Sequence, residues 1–167
     1  VALMAALGRD ARITEAHDIA QRILALTAQH PMPISTTWAQ YAMGYTLFQR
    51  GDLEQARQYL EQVLNPHVQA RFDARISAIT ILLQIGNVQE QFQHLDTLIK
   101  ELRATLSAGQ WPNQCSILDL CRSYLRFVAK PEPEAAQLVL MLCDNQNVMP
   151  ETIGVPEFEL LRAHILI

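Results

Sequence analysis

The residue types that carry out chemistry in proteins are present in this chain, but their spacing does not assemble a catalytic or metal site. The five histidines are scattered along the sequence: His17, His30, His67, His94 and His164. None forms the His-x-x-x-His or His-Glu-x-x-His pair that places two metal ligands on one helix face. The sequence also has no Gly-x-x-x-x-Gly-Lys loop, no Gly-x-Gly-x-x-Gly turn and no Gly-x-Ser-x-Gly elbow. We therefore expect no enzyme activity, no cofactor and no metal.

Carboxylates and thiols also have structural explanations. Two carboxylate pairs are two residues apart, Glu132 with Glu134 and Glu157 with Glu159. Residues at this spacing on a helix do not face each other, so we interpret them as solvated helix starts. The three cysteines lie in apolar periodic segments and lack Cys-x-x-Cys spacing: Cys115, Cys121 and Cys143. Buried, reduced thiols of a cytosolic protein are the interpretation that fits them best.

The composition is that of a soluble globular chain. Half of the 167 residues are hydrophobic, which is enough for one domain with a substantial core. The formal charge is −4 and no run of Lys or Arg occurs, so we expect no direct nucleic-acid binding. No apolar run approaches the roughly 18 to 20 residues of a membrane span, and residues 1–7 lack the basic start of a signal peptide. We expect a cytoplasmic location and no membrane contact.

Residues 37–66 have the pattern of two helices packed face to face. Apolar residues recur every three or four positions, are interrupted at Gly51-Asp52 and then resume with the same spacing. Gly51 can adopt the left-handed conformation that ends a helix. Asp52 can cap the amides of the next helix, and Gln55 follows three residues later, as in a capping box.

The same alternation continues along the chain and predicts about nine antiparallel helices. The second is predicted from about 13 to 29, Ser35 and Thr36 are the predicted caps of the third, and the ninth starts at Pro156. The turns are predicted at residues 8–10, 30–33, 51–52, 65–66, 86–88, 107–110, 131–133 and 144–154.

The predicted helices form repeats of uneven length. Equivalent positions recur after 40, 35 and 45 residues along the chain, and the 35-residue interval joins Gly51 to Gly86. The predicted repeats occupy residues 1–30, 36–65, 67–107, 112–145 and, in part, 155–167. Because the helical pattern is unfinished at both ends, we interpret residues 1–167 as a single helical-repeat domain from a longer protein.

The hairpin at residues 37–66 resembles the tetratricopeptide repeat, which has Gly-Tyr in its first helix, Gly-Asp at the turn and Ala in its second helix. The matching residues are Gly44-Tyr45, Gly51-Asp52 and Ala56, and the small side chains of Gly44 and Ala56 let the two backbones approach closely. The resemblance implies an all-α, right-handed α–α superhelix, a solenoid used for binding and not for chemistry. The uneven repeat intervals are similar to the loosened repeats in the helical sensor regions of large bacterial regulators, such as the ATPase-linked activators of the maltose type.

The tetratricopeptide resemblance also implies a binding face. In such a stack the first helix of each pair lines the concave side, which here would carry Trp38, Tyr41, Tyr45, Phe48, Asp73, Ile76, Ser77 and Thr80. An aromatic strip beside hydroxyls and one carboxylate suits an apolar helix or peptide, or a sugar-like ligand stacked on the rings. The alternative is that the aromatic side chains pack between neighbouring helices. A clamp for a peptide carboxylate is disfavoured, because Trp38, Tyr41, Ala42 and Tyr45 stand where the family uses Lys, Arg and Asn.

Two functions follow from these patterns. The first is a protein-interaction module, a scaffold or regulatory region of a larger bacterial protein, whose partner is a protein, a peptide or another domain of its own chain. The alternative is a small-molecule-sensing domain of a bacterial transcriptional regulator, with the effector in the concavity. Apolar faces at the unfinished ends also leave a homodimer open.

Overall fold

The computed structural model is all-α in the residues that it describes, which are 12–65, 68, 70–89, 92–107 and 112–144. Seven helices occur there and no strand: α1 (Ile13–Gln29), α2 (Pro33–Gln49), α3 (Leu53–Leu64), α4 (Phe72–Gln89), α5 (Gln93–Ser107), α6 (Pro112–Ala129) and α7 (Pro133–Asp144). The all-α prediction is confirmed for these ranges. The predicted helices at residues 1–7 and from Pro156 onwards lie outside the described residues.

The helices follow one another at regular intervals. Helices α1, α3, α5 and α7 begin at residues 13, 53, 93 and 133, which are 40 residues apart each time. Helices α2, α4 and α6 begin at 33, 72 and 112, at intervals of 39 and 40. The predicted first interval of 40 is therefore confirmed, and the predicted intervals of 35 and 45 are wrong.

The shortest of those predicted intervals came from a turn at residues 86–88 that the structure does not have. Helix α4 continues to Gln89, with Gly86 inside it. A helical glycine costs about 1 kcal/mol relative to alanine. Full burial of a side chain such as that of Ile85, which is 1% exposed, contributes about 1.5–3 kcal/mol. The side-chain amide of Asn87 also donates a hydrogen bond to the hydroxyl of Tyr124 on α6. These tertiary contacts outweigh the cost of the glycine, so the helix continues past Gly86.

The turn between α2 and α3 has the predicted left-handed glycine. Gly51 takes φ 81°, and its amide donates to the carbonyl of Phe48 at 3.0 Å. The amide of Asp52 donates to the carbonyl of Leu47 at 2.9 Å, which completes a Schellman motif. The predicted capping box is absent from this turn: the Asp52 carboxylate caps no amide and accepts from the side-chain amide of Gln55 at 3.3 Å.

Helix α2 begins at Pro33, so the prediction that Ser35 and Thr36 cap it is wrong. Proline suits the first helical position because the N–H that it lacks would have no partner within the helix. Thr36 lies inside the first turn, and its hydroxyl donates back to the carbonyl of Met32 at 3.0 Å. The hydroxyl of Thr37 donates in the same way to the carbonyl of Pro33 at 2.8 Å.

The chain divides into two compact units, Val1–Ile81 and Leu82–Ile167. In the first unit α2 packs against both α1 and α3. The contact with α3 is close at Gly44, where a Cβ atom would lie 2.5 Å from Cγ of Leu60 and 3.2 Å from the carbonyl oxygen of Ala56. The close approach predicted for Gly44 and Ala56 is confirmed.

In the second unit α6 packs against α5 and α7, and charged side chains join α5 to α6. Arg103 donates to both carboxylate oxygens of Asp119, at 2.7 and 2.9 Å, and this contact raises the pKa of Arg103. Burial alone would raise the pKa of Asp96, but hydrogen bonds and charge from Lys100 and Arg122 lower it. These groups are partly exposed, so the pairs align the two helices more than they stabilise them.

Candidate binding surface

Helix α2 is rich in apolar residues and has no charged side chain from Pro33 to Gln49. A helix of this kind needs neighbours on several sides. Helices α1 and α3 cover two of them and bury residues such as Ala39, Met43 and Leu47. The part of α2 that remains exposed or partly exposed carries no charge.

On that part lies the α2 aromatic face, which consists of Ile34, Tyr41, Tyr45 and Phe48. At 3.6 residues per turn these positions fall within about 60° of one another around the helix axis. Ile34 is 51% exposed, and the three aromatic side chains are partly exposed. The sequence prediction missed Ile34, although its position seven residues before Tyr41 placed it on the same side of the helix.

Contacts between aromatic rings fix the orientation of the tyrosines on this face. Trp38 is only 5% exposed, and its ring meets that of Tyr41 edge to face, with centroids 5.7 Å apart and planes at 82°. The rings of Tyr41 and Tyr45 follow at 6.4 Å with a tilt of 31°. Such pairs contribute about 0.5–1.5 kcal/mol each beyond burial. The buried indole of Trp38 thus supports Tyr41, and Tyr41 in turn contacts Tyr45.

The eight predicted site residues divide evenly between the interior and the surface. Trp38, Ile76, Ser77 and Thr80 are at most 5% exposed. The hydroxyl of Thr80 donates to the carbonyl of Ser77 at 2.9 Å, within α4. For Trp38 this burial agrees with the alternative that aromatic residues pack between helices. Tyr41, Tyr45, Phe48 and Asp73 are partly exposed.

Asp73 is the one predicted carboxylate, and its oxygens already have partners. The guanidinium of Arg71 donates to both oxygens, with Nε 3.2 Å from each and Nη2 3.1 Å from Oδ2. Oδ1 also accepts the amide of Ala74 at 2.9 Å. Asp73 therefore lies in the first turn of α4, and its carboxylate is paired with Arg71 and the amide of Ala74.

Arg75 is a buried cation that the sequence reasoning did not single out. It is 8% exposed, and its Nη2 donates to the carbonyls of Val68 at 2.8 Å and Asn65 at 3.4 Å. Burial lowers its pKa. Because Asn65 ends α3, Arg75 places positive charge at the helix terminus where the carbonyls carry partial negative charge. Arg75 therefore has a structural role: it stabilises the connection between α3 and α4.

Groups that could perform chemistry do not converge in the described part of the chain. No three His, Cys, Asp or Glu side chains there could jointly hold a metal ion. Cys121 is buried and Cys115 is half-buried, both on α6, while the side chain of Cys143 lies outside the described residues. Among the same residues, no helix combines the length and the apolar character needed to cross a membrane.

Comparison with known proteins adds no assignment. No protein-family model matches the chain, and neither the curated proteins nor the solved structures give a match.

Proposed function

We propose that the chain is a non-catalytic helical-repeat module, similar to tetratricopeptide proteins, that binds a protein or peptide partner through the α2 aromatic face. The observation that carries the proposal is an uncharged helix whose exposed part displays Ile34 and two tyrosines, of which Tyr41 contacts the buried ring of Trp38. Large aromatic side chains held in one orientation bind with little loss of conformational entropy, and they are enriched among the residues that dominate interface energies.

Further support for a repeat architecture comes from the hairpin of α2 and α3. Three residues that carry the resemblance stand where the hairpin needs a small side chain or a left-handed backbone. Gly44 lies close to Leu60, Gly51 ends α2 with positive φ, and Ala56 is fully buried. The period of about 40 residues is longer than the roughly 34 of tetratricopeptide repeats. The extra length goes into long helices, with 18 residues in each of α4 and α6. A solenoid built from such hairpins, in the cytoplasm of a bacterium and as part of a larger protein, is the architecture that we propose.

The sensor of a transcriptional regulator is the weaker candidate. It was suggested by uneven repeat intervals, and the helix starts are regular. In addition, Ser77 and Thr80, the hydroxyls expected to contact a small effector, are buried. These two observations favour a surface that binds a macromolecule.

Site-specific photo-crosslinking in the full-length protein tests the proposal. A photoreactive phenylalanine at Ile34 should give a discrete crosslinked product in cells, whereas the same residue at Gln58 or Arg22, on the exposed sides of α3 and α1, should not. Equal crosslinking at all three positions would contradict a specific face.

A titration with the captured partner then measures the contribution of the rings. Tyr45→Ala should weaken binding by about 30-fold, the value for a hot-spot residue worth about 2 kcal/mol. Tyr45→Phe keeps the ring and should bind like the native protein if stacking supplies the affinity. Circular dichroism checks that both variants fold. An unchanged dissociation constant for Tyr45→Ala would refute the proposed surface, and binding of a metabolite in place of a protein would favour the sensor.

A further inference from the structure

A buried histidine joins α1 to α2. His17 on α1 is 9% exposed, and its Nδ1 lies 3.0 Å from the hydroxyl oxygen of Thr46 on α2. Its Nε2 lies 3.1 Å from the side-chain nitrogen of Gln21, one turn further along α1. The proposed function uses none of these three residues.

The hydrogen bonds of Thr46 determine which imidazole nitrogen carries the proton. A hydroxyl has one hydrogen, and that of Thr46 is donated to the carbonyl of Met43 at 3.1 Å. The Thr46 oxygen must therefore accept from Nδ1–H of His17. In the neutral ring Nε2 is then the acceptor for the amide N–H of Gln21. The neutral Nδ1–H tautomer satisfies every contact around the ring.

A second proton on the ring would disturb this arrangement. It would sit on Nε2 and face the donor nitrogen of Gln21, so two donors would meet until the exposed Gln21 amide turned over to present its oxygen. Burial lowers the pKa of His17, the positive charge of Arg50 at the end of α2 lowers it further, and only Asp18 on α1 raises it. Helix α2 itself contributes no charged side chain to compensate.

We propose that His17 forms an acid-sensitive contact between α1 and α2. Its pKa in the folded chain lies below the ordinary value of 6.5, so the folded state holds the neutral ring and the unfolded state takes up the proton first. The stabilisation is complete above pH 6.5 and is lost as the pH falls through 6.5 towards the lowered folded value. Acid therefore separates α1 from α2 and leaves the α2–α3 contact, which has no histidine in it, in place.

Hydrogen exchange of the α1 amides, corrected for intrinsic rates, tests the acid sensitivity of this contact. Between about pH 7.5 and about pH 5, we expect protection in the native protein to fall, because the separated state binds the proton more tightly than the packed state does. His17→Asn keeps an N–H donor near Thr46 but cannot be protonated, so its protection should not change with pH. His30→Asn removes an exposed histidine at the end of α1 and should behave like the native protein.

A second variant tests the same contact in the opposite direction. Gln21 is exposed, and Gln21→Glu places a carboxylate acceptor next to Nε2 of the ring. We expect the pKa of His17, followed by NMR, to rise and the α1 amides to remain protected in acid. The proposal is overturned if His17→Asn loses as much protection in acid as the native protein, or if Gln21→Glu leaves the His17 pKa unchanged.

Discussion

Replacement of Gly44 by alanine should destabilise the hairpin of α2 and α3, although alanine is the better helix former. The added Cβ would lie 2.5 Å from Cγ and 2.7 Å from Cδ2 of Leu60, and 3.2 Å from the carbonyl oxygen of Ala56. Carbon atoms in contact are normally about 3.5–4.0 Å apart, so the two helices would have to separate by about 1 Å. Leu60 has no exposed surface and cannot turn aside into solvent.

The expected free-energy change is the difference between two opposing contributions. Overpacking a core costs about 1–3 kcal/mol, and the upper end applies because a buried side chain and a backbone carbonyl both oppose the new methyl group. The higher helix propensity of alanine stabilises the helix by about 0.8–1 kcal/mol relative to glycine. The net loss is therefore about 2 kcal/mol, which lowers the melting temperature of a chain of this size by about 4–8 °C.

Urea denaturation followed by circular dichroism measures this loss, and a Leu60→Ala background provides the control. Without the leucine side chain the clash with Cγ and Cδ2 disappears, so Gly44→Ala should then stabilise the protein by up to about 1 kcal/mol. This reversal of sign distinguishes steric conflict from a general effect of the substitution. Stabilisation by Gly44→Ala in the native background would refute the close approach of the two helices.

Three further substitutions test other contacts by the same denaturation assay. Gly51→Ala should cost about 1–2 kcal/mol because of its positive φ alone, since no atom lies within 4 Å of the new methyl group, and an unchanged midpoint would contradict the left-handed turn. Tyr124→Phe should cost about 1–3 kcal/mol by removing the hydroxyl that Asn87 contacts, whereas a neutral effect would show that α4 does not depend on this bond. Arg103→Lys loses the two parallel bonds to Asp119 and should lower the midpoint slightly at low salt; a loss that persists at high salt would exclude an electrostatic origin.

Some helix boundaries were predictable from the local chemistry of proline and glycine. Helix α1 runs from Ile13 to Gln29 as predicted, because Pro31 and Pro33 cannot continue its hydrogen-bond ladder. Gly51 ends α2 in the conformation that its residue type favours. In these cases the backbone chemistry of a few adjacent residues decides the outcome.

The candidate surface was predictable only in part. The three- and four-residue spacing of Tyr41, Tyr45 and Phe48 placed them on one side of α2, and they remain partly exposed there. The same spacing grouped Trp38 with them, yet its ring is buried. Helical periodicity assigns a residue to a side of the helix, whereas exposure depends on which neighbouring helix covers that side.

The amino-acid sequence by itself determined that this protein is helical, where most of its helices begin and end, and that its α2 carries aromatic side chains without charge. Only the tertiary structure decided that α4 passes through Gly86, that the helix starts are evenly spaced and that Ser77 and Thr80 are buried. The physical reason is the range of the interactions. A turn is set by backbone preferences over a few residues, while the burial that overrides a weak helix breaker comes from residues distant in sequence, such as Tyr124 contacting Asn87.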